Sequence, residues 1–454
     1  MAFTHRYIAR IILEAETGLF VGSGEASLMK DALVQKDVHG LPMIQGTSLT
    51  GVLRHALEDS DSEKSKVWNE IFGFQDTKNG LGSRLKISSA YMLINEHKVA
   101  EGLTASIPEK ILNKYTNLPS RQHVRINERG VAEKNGLFDN EIVYKGTRFI
   151  FELELKGTKE DKTHWEAILT QMSSPLFRIG QGTRNGYGKL NIHSLKQRIY
   201  DLTNKEGDFN DYLHFNPSFN VENTGLEKVD LKTGESNLTE YKLILQPDSF
   251  FIFSEGFGDE EADNKPVTEE VALYKNGTIE FENLTLIPAS SIKGALSHRT
   301  AFHYNKLQKQ FADEGNGKVG NLNEAVKALF GYQAEGKDGQ RGKVILNDFY
   351  FTKSQSNNQK IFNHVAIDRF TGGALDGALF SEKVSSLTEE TAFKFTIYLE
   401  YEGDNTIQKA FEETLKDVCR GLLPLGGMTT KGHGIFTGKL LQGTKTIFDY
   451  ESNN

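Results

Sequence analysis

Pro42-Met-Ile-Gln-Gly-Thr-Ser-Leu-Thr-Gly-Val-Leu-Arg54 returns later in the chain as Leu286-Ile-Pro-Ala-Ser-Ser-Ile-Lys-Gly-Ala-Leu-Ser-His-Arg299. Three further segments recur in the same order. Phe72-Gly-Phe-Gln75 corresponds to Phe330-Gly-Tyr-Gln333, and His123-Val-Arg-Ile-Asn127 to His364-Val-Ala-Ile-Asp368. Ile179-Gly-Gln-Gly-Thr-Arg-Asn-Gly-Tyr-Gly188 corresponds to Leu425-Gly-Gly-Met-Thr-Thr-Lys-Gly-His-Gly434. Four collinear matches at nearly constant offset mark a duplication, and 454 residues suit two domains. A fold present twice in one polypeptide offers two equivalent surfaces, which points to a long, repetitive ligand.

With 38% hydrophobic and 25% charged residues, the chain has the composition of a globular protein. The single cysteine, Cys419, excludes a disulfide framework and a cysteine zinc site and points to a reducing compartment. No apolar run is long enough to cross a bilayer, and Met1-Ala-Phe-Thr-His-Arg6 lacks the apolar core of a signal peptide. A cytoplasmic location and no membrane partner are expected.

The net charge of −8 is unevenly placed. Residues 1–200 carry 27 Lys and Arg against 23 Asp and Glu, residues 271–454 carry 21 of each, and residues 201–270 carry 5 against 17. Outside that acidic interval the body is mildly basic, which permits a nucleic-acid partner. The stretch 201–240 is polar, with Pro217 near its middle and no apolar period, and reads as an acidic connector. It separates a first domain, 1–200, from a second, 241–454.

Each domain opens on a strand-like run, Arg6–Leu13 and Tyr241–Leu245. Helices are expected after the shared stretch, with Ser48 and Ser291 as N-caps. Arg84–Leu93, Phe149–Leu155, Lys343–Phe351 and Phe393–Leu399 read as further strands. The alternation predicts an α+β domain, a sheet with helices on one face, occurring twice.

Small and hydroxyl residues at a helix start, here Thr47, Ser48, Ser290 and Ser291, leave backbone N–H groups and the positive dipole end facing outward, where a phosphate is welcome. The same residues also serve as ordinary caps, but Arg54, Lys293 and Arg299 keep positive charge near both copies. The Gly-rich loops 180–188 and 426–434 carry Gly182, Arg184, Asn185, Gly427, Lys431 and His433. Such loops let a backbone approach a phosphate chain, and they also make tight turns. Neither loop closes on Gly-Lys-Ser/Thr, so a mononucleotide P-loop is disfavoured. The 12 histidines show no metal-ligand spacing.

Gly40-Leu-Pro-Met-Ile-Gln-Gly-Thr-Ser-Leu-Thr-Gly-Val-Leu-Arg54 resembles the G-L-P-x-I-P-G-S-S-L-K-G-x-L-R signature of the RAMP superfamily, whose second hallmark is a terminal Gly-rich loop. The pattern is most similar to the Cas-seven group of backbone subunits of type III CRISPR effector complexes, with two copies fused as in subtype III-D. The resemblance covers nearly the whole chain apart from the connector. It implies a ferredoxin-like, RRM-like core in each domain, binding to a guide RNA that pairs with a target RNA, and a β-hairpin thumb in each domain. The thumbs fall at His123–Phe138 and His364–Phe380, with Arg125 and Arg369 close by. It also implies other effector subunits as partners: a large polymerase-like subunit, other backbone subunits and small subunits.

In target-cleaving members of that group a loop Asp precedes the G-L-P signature. Asp31 takes its position in Asp31-Ala-Leu-Val-Gln-Lys-Asp37, and Asp263-Asn-Lys-Pro-Val267 keeps more of the motif, with Asp37 and Asp259 as alternates. From Asp263 to Ser290 is 27 residues, against 16 from Asp31 to Thr47. The resemblance implies that Asp31 and Asp263 serve catalysis with Mg²⁺ or another divalent cation, each a weak metal site completed by RNA, with no organic cofactor. Two other readings stay open: a catalytically inert structural backbone subunit, and a metal-independent guide-processing ribonuclease.

Overall fold

The computed structural model describes all residues except 1–2, 26–31, 58–61, 77–78, 104, 128–129, 205, 222–223, 232–237, 311–317, 334–338, 357, 388–391 and 453–454. The first domain follows a β-α-β-β-α-β order through β1 (His5–Ala15), α1 (Gly46–Leu57), β2 (Leu85–Ile87), β3 (Arg148–Gly157), α2 (Lys162–Gln171) and β4 (Leu190–Asp201). The second repeats it with β5 (Thr239–Pro247), α3 (Ala289–Leu307), β6 (Val344–Leu346), β7 (Phe393–Leu399), α4 (Asn405–Cys419) and β8 (Phe436–Gln442). The strands lie side by side as β4-β1-β3-β2 and as β8-β5-β7-β6, all antiparallel. This is the ferredoxin-like order, realised twice.

The central strands form because their β-branched and aromatic residues fit a pleated surface that is buried. Tyr7, Ala9, Ile11 and Leu13 alternate along β1, all at most 1% exposed, and Tyr241, Leu243 and Leu245 do the same on β5. The helix α4 buries Ile407, Ala410, Phe411, Thr414, Leu415 and Val418, the stripe of a 3.6-residue period, and Asp404 caps it by accepting from the Thr406 N–H at 2.7 Å.

Three features depart from the expectation. The runs Arg84–Leu93 and Lys343–Phe351 each break in the middle, at Ser88-Ser89 and at Asn347-Asp348. The helices α1 and α3 start two residues before Ser48 and Ser291, which therefore stand third in the first turn and are not N-caps; Pro288 holds that place in the second copy. The third departure concerns the domain boundary. A hairpin, Thr268–Lys275 with Thr278–Ile287, turns at Asn276-Gly277, where both residues have the positive φ that a two-residue hairpin turn requires. It accounts for the extra length between Asp263 and Ser290. It belongs by sequence to the second half, yet its Ala272 and Ile279 lie in the first domain's core, with Tyr274 and Phe281 packed against that core.

The described part of the connector also packs on the first domain. Arg10 donates to the carbonyls of Ser218 and Asn216, Arg198 pairs with Asp208 and Asp211, and residues 227–228 add to the edge of β4. Phe219 and Tyr274 flank a small cluster of Leu93, Val99 and Ile150 beside that sheet. Among the described residues no helix is long and apolar enough to cross a membrane.

Candidate nucleic-acid interface

The Gly-rich loop of the first domain packs against the start of α3 in the second. Its chain path depends on glycine at matched places. Gly188 and Gly434 have φ of +77° and +76°, and a Cβ on either would collide with the carbonyl oxygen of Ile179 or Leu425. The loop approaches so closely that a Cβ on Gly186 would lie 2.7 Å from that of Ala289. Across this seam Lys293 donates to Asn185 Oδ1 at 3.4 Å, and Arg184 donates to the Gly342 carbonyl at 2.8 Å and pairs with Glu400 at 3.3 Å. Burial, and then the Arg184 charge, lower Lys293 to about 8; burial, and then Arg341, lower Arg184 to about 10. The seam therefore brings Arg184, Asn185 and Gly186 of one domain to Ala289, Lys293 and Glu400 of the other.

The broken strands explain how the two helix starts are held. Ser89 Oγ accepts from the Gly46 N–H at 3.4 Å, and Asp348 Oδ1 accepts from the Ala289 N–H at 2.8 Å. Further along each helix the flank turns toward neighbouring helices, and the arginines there are engaged. Arg54 donates to the Gly73 carbonyl at 2.9 Å and to Asn69 at 2.8 Å, and Arg299 pairs with Asp417 of α4 at 2.6 Å. Their charge goes to helix packing and not to the helix start where the sequence had suggested it. Gly51 and Gly294, sixth in each helix, are exposed, and a Cβ on either would meet nothing within 4 Å. A helix-interior glycine costs about 1 kcal/mol relative to alanine, and nothing in the described chain requires these two.

The thumbs fall where the sequence places them. Ser120–Ile126 pairs with Ala132–Glu141, and Gln359–Ile367 with Ala374–Ser385. His123 faces Phe138 and His364 faces Phe380, in stacked rings 5.1 Å and 4.7 Å apart. Above those stacks the hairpins expose apolar side chains: Val124, Ile126 and Leu137 on the first, Val365, Ile367 and Phe370 on the second, with Phe370 98% exposed. Arg125 and Arg369 are exposed there too. At the bases the copies differ. His123 Nε2 meets the Tyr187 hydroxyl at 2.6 Å, and burial followed by the Arg121 charge lowers its pKa to about 4. In the second thumb Glu382 Oε1 meets His364 at 2.8 Å and His433 at 3.0 Å, so His433 is buried under the thumb instead of facing outward. Lys431 lies over the Phe380 ring at 4.0 Å.

Of the candidate acids, Asp31 lies outside the described residues. Its neighbour Ala32 accepts from the Glu141 N–H of the first thumb at 3.2 Å, just as Asn264, the neighbour of Asp263, accepts from the Lys383 N–H of the second at 2.8 Å. Asp263 is exposed and accepts from the Ser381 N–H at 2.7 Å and hydroxyl at 3.0 Å, which lower its pKa. Asp259 is lowered to about 2 by Lys383 and the Glu261 and Ala262 amides. Asp37 accepts from the His39 and Leu41 N–H groups and shapes the turn into the signature stretch. Among the described residues no three His, Cys, Asp or Glu are grouped to hold a metal ion.

The sequence model of the RAMP superfamily matches residues 12–191 and 275–437. The chain belongs to the RAMP superfamily. The match takes in α1, β2, β3 and α2 of the first core and α3, β6, β7 and α4 of the second, and leaves out the connector, β5 and the loop of Asp263. Among solved structures, a chain of the Type III-B Cmr-beta assembly determined by cryo-EM in its apo state is 17% identical; the alignment covers 41% of this chain and 96% of that one, with a TM-score of 0.33. Comparison with curated proteins gives no match.

Between the two RAMP units lies a network that the shared motifs did not reveal. Arg121, at the base of the first thumb, donates to Glu269 at 2.5 Å and to Asp348 at 2.6 Å, and lies over the Tyr187 ring at 4.6 Å. Tyr350 donates to Glu269 at 2.7 Å, and Arg178 reaches Asn347. These residues differ between the copies, with Phe362 at the place of Arg121 and Ser89 at that of Asp348.

Proposed function

We propose that this chain is a backbone subunit of a type III CRISPR effector complex, binding consecutive segments of a guide RNA with its two domains and cleaving paired target RNA in a metal-dependent reaction at Asp31 and Asp263. The observation that carries the reading is the seam, where Lys293 and Arg184 are partly desolvated beside the start of α3. A phosphate there would restore favourable charge to both cations. The exposed Gly51 and Gly294 suit close passage of an RNA backbone along each helix. The thumbs, apolar at the tip and anchored by a histidine stack, suit insertion between base pairs.

For cleavage, RNA must present its 2′-hydroxyl in line with the scissile phosphate while the developing charge is neutralised. Asp263, an exposed carboxylate at the root of the second thumb, would hold one side of a divalent cation, the RNA phosphates holding the rest, and Asp31 would serve likewise in the first domain. Bound there, the cation supplies charge neutralisation at the phosphate. The Ser381 contacts keep Asp263 ionised and fixed against the thumb.

The test is recovery of RNA from the protein purified with its partner subunits. Extraction of short RNAs of uniform length supports the reading; an intact assembly free of nucleic acid rejects it.

A further inference from the structure

A cleft of about 570 Å³ opens where the first domain, the connector and the second domain meet. Its floor is apolar: Met172, Leu190 and Leu195 belong to the first domain's core, with Val229 and Leu231 of the connector packed against them. Its rim is polar, with Asn191, His193, Ser194, Lys228 and Asp230 on one side and Tyr398, from β7 of the second domain, on the other. An apolar floor under a few convergent polar groups, at a junction between domains, has the form of a small-molecule site.

The repeat shows that this opening belongs to the first half alone. Ala15 pairs with Leu190 and Leu13 with Ile192, as Pro247 pairs with Phe436 and Leu245 with Gly438. One step on, Ile12 pairs with Ser194, whereas Ile244 pairs with Lys439, so β4 carries one extra residue, His193, as a bulge that β8 lacks. The outer edges then diverge. In the second domain the strand Lys445–Asp449 pairs along β8 back to Lys439, and the Tyr450 N–H reaches the Gly438 carbonyl at 3.1 Å, which closes that edge. In the first, the connector pairs with Lys196 and Gln197 and holds the Leu195 carbonyl through the Val229 N–H at 3.0 Å. From Leu190 to Ser194, β4 borders the cleft with no strand on its outer side among the described residues.

The polar rim is uncommitted. Of the two lysines on the cleft, Lys189 is paired with Glu16 at 2.7 Å, whereas Lys228 has no ion-pair partner among the described residues. Among those residues the side chains of Asn191, Ser194, Asp230 and Tyr398 make no hydrogen bond either. Lys228 and Asp230 are two residues apart, so their Cα atoms are at most about 7 Å from each other. A cation and a carboxylate at that spacing match the 5′-phosphate and the ribose diol of one nucleotide, the ammonium donating to the phosphate and the two hydroxyls donating to the carboxylate. The base, apolar on its faces, then reaches the floor beside the Tyr398 ring. We infer that the cleft binds a ribonucleotide whose 2′- and 3′-hydroxyls are free, with phosphate at Lys228, diol at Asp230 and base between the floor and Tyr398. That chemistry is shared by a free ribonucleoside 5′-monophosphate and by the 3′ end of an RNA. A ligand held there touches both domains and the connector, and so braces them against one another.

Equilibrium binding to the full chain tests this, with the four ribonucleoside 5′-monophosphates, their 2′-deoxy forms, and a trinucleotide RNA ending in a free diol or in a 3′-phosphate. At least one diol-bearing probe should bind saturably, about tenfold or more tighter than the same probe without its diol. Lys228→Gln should weaken that binding about tenfold, and Asp230→Asn should narrow the preference for the diol to about threefold or less. Both residues are exposed and unbonded, so both variants should melt as the wild type does. Binding of a mononucleotide identifies a free ligand, and binding of the trinucleotide alone identifies an RNA end. Lys293→Gln, at the seam, should leave this binding unchanged; a loss there assigns the binding to the seam and overturns the inference without touching the guide-binding reading. No saturable binding by any probe, binding without preference for the diol, or binding that Lys228→Gln and Asp230→Asn leave unaltered overturns it as well.

Discussion

Arg121 and Asp348 form a buried ion pair 2.6 Å long that joins the first thumb to the helix start of the second domain. The same carboxylate accepts the Ala289 N–H with its other oxygen, so one side chain serves both domains. Removing either partner strands a buried charge, and Arg121→Ala or Asp348→Ala is expected to cost about 3–5 kcal/mol. Urea denaturation checks this; a change below about 1 kcal/mol would mean that the joint is not held by this pair.

The first thumb should weaken on acidification. His123 is held neutral, its pKa lowered to about 4 from 6.5. The unfolded chain gains a proton below 6.5 while the folded chain does not until about 4, so stability is full above 6.5 and declines as pH falls from there toward 4. His123→Gln should flatten that part of the profile, and NMR titration of the ring should give the low value directly.

Gly51→Ala and Gly294→Ala should each stabilise the protein alone, by about 0.5–1 kcal/mol, while weakening its hold on RNA. Thermal melts and filter binding on the assembled complex separate the two effects. If both variants bind RNA as the wild type does, the helices do not lie against the guide.

Gly188→Ala and Gly434→Ala have the opposite character. Each forces a side chain into a carbonyl at positive φ, so a loss of more than about 1 kcal/mol is expected, visible in thermal melts without RNA.

Asp31→Ala and Asp263→Ala, made separately in the assembled complex, should each remove one cut from a periodic ladder of target-RNA products without loss of guide binding, and EDTA should remove both. Persistence of every cut in both variants assigns cleavage elsewhere.

The cores, the thumbs and the duplication were legible because each rests on local pattern: alternating apolar residues in β1, a Val/Ile-rich hairpin around His123, glycines at positive φ in matched loops. The joint was not legible. Arg121, Glu269 and Asp348 are far apart in sequence, and each looks like an ordinary surface charge until the fold brings them together. The partners of Arg54 and Arg299 were not legible for a related reason, since a charge near a motif in sequence can lie on another face of the same helix.

The hairpin Thr268–Ile287 sets an order of events during synthesis. Because Ala272 and Ile279 lie in the first domain's core, that core is still incomplete when the domain's own residues have left the ribosome, and part of its apolar surface stays uncovered until Ile287 has emerged. A nascent chain arrested before that point should be sensitive to protease in both halves, so the N-terminal domain of this protein finishes folding on material delivered by the C-terminal one.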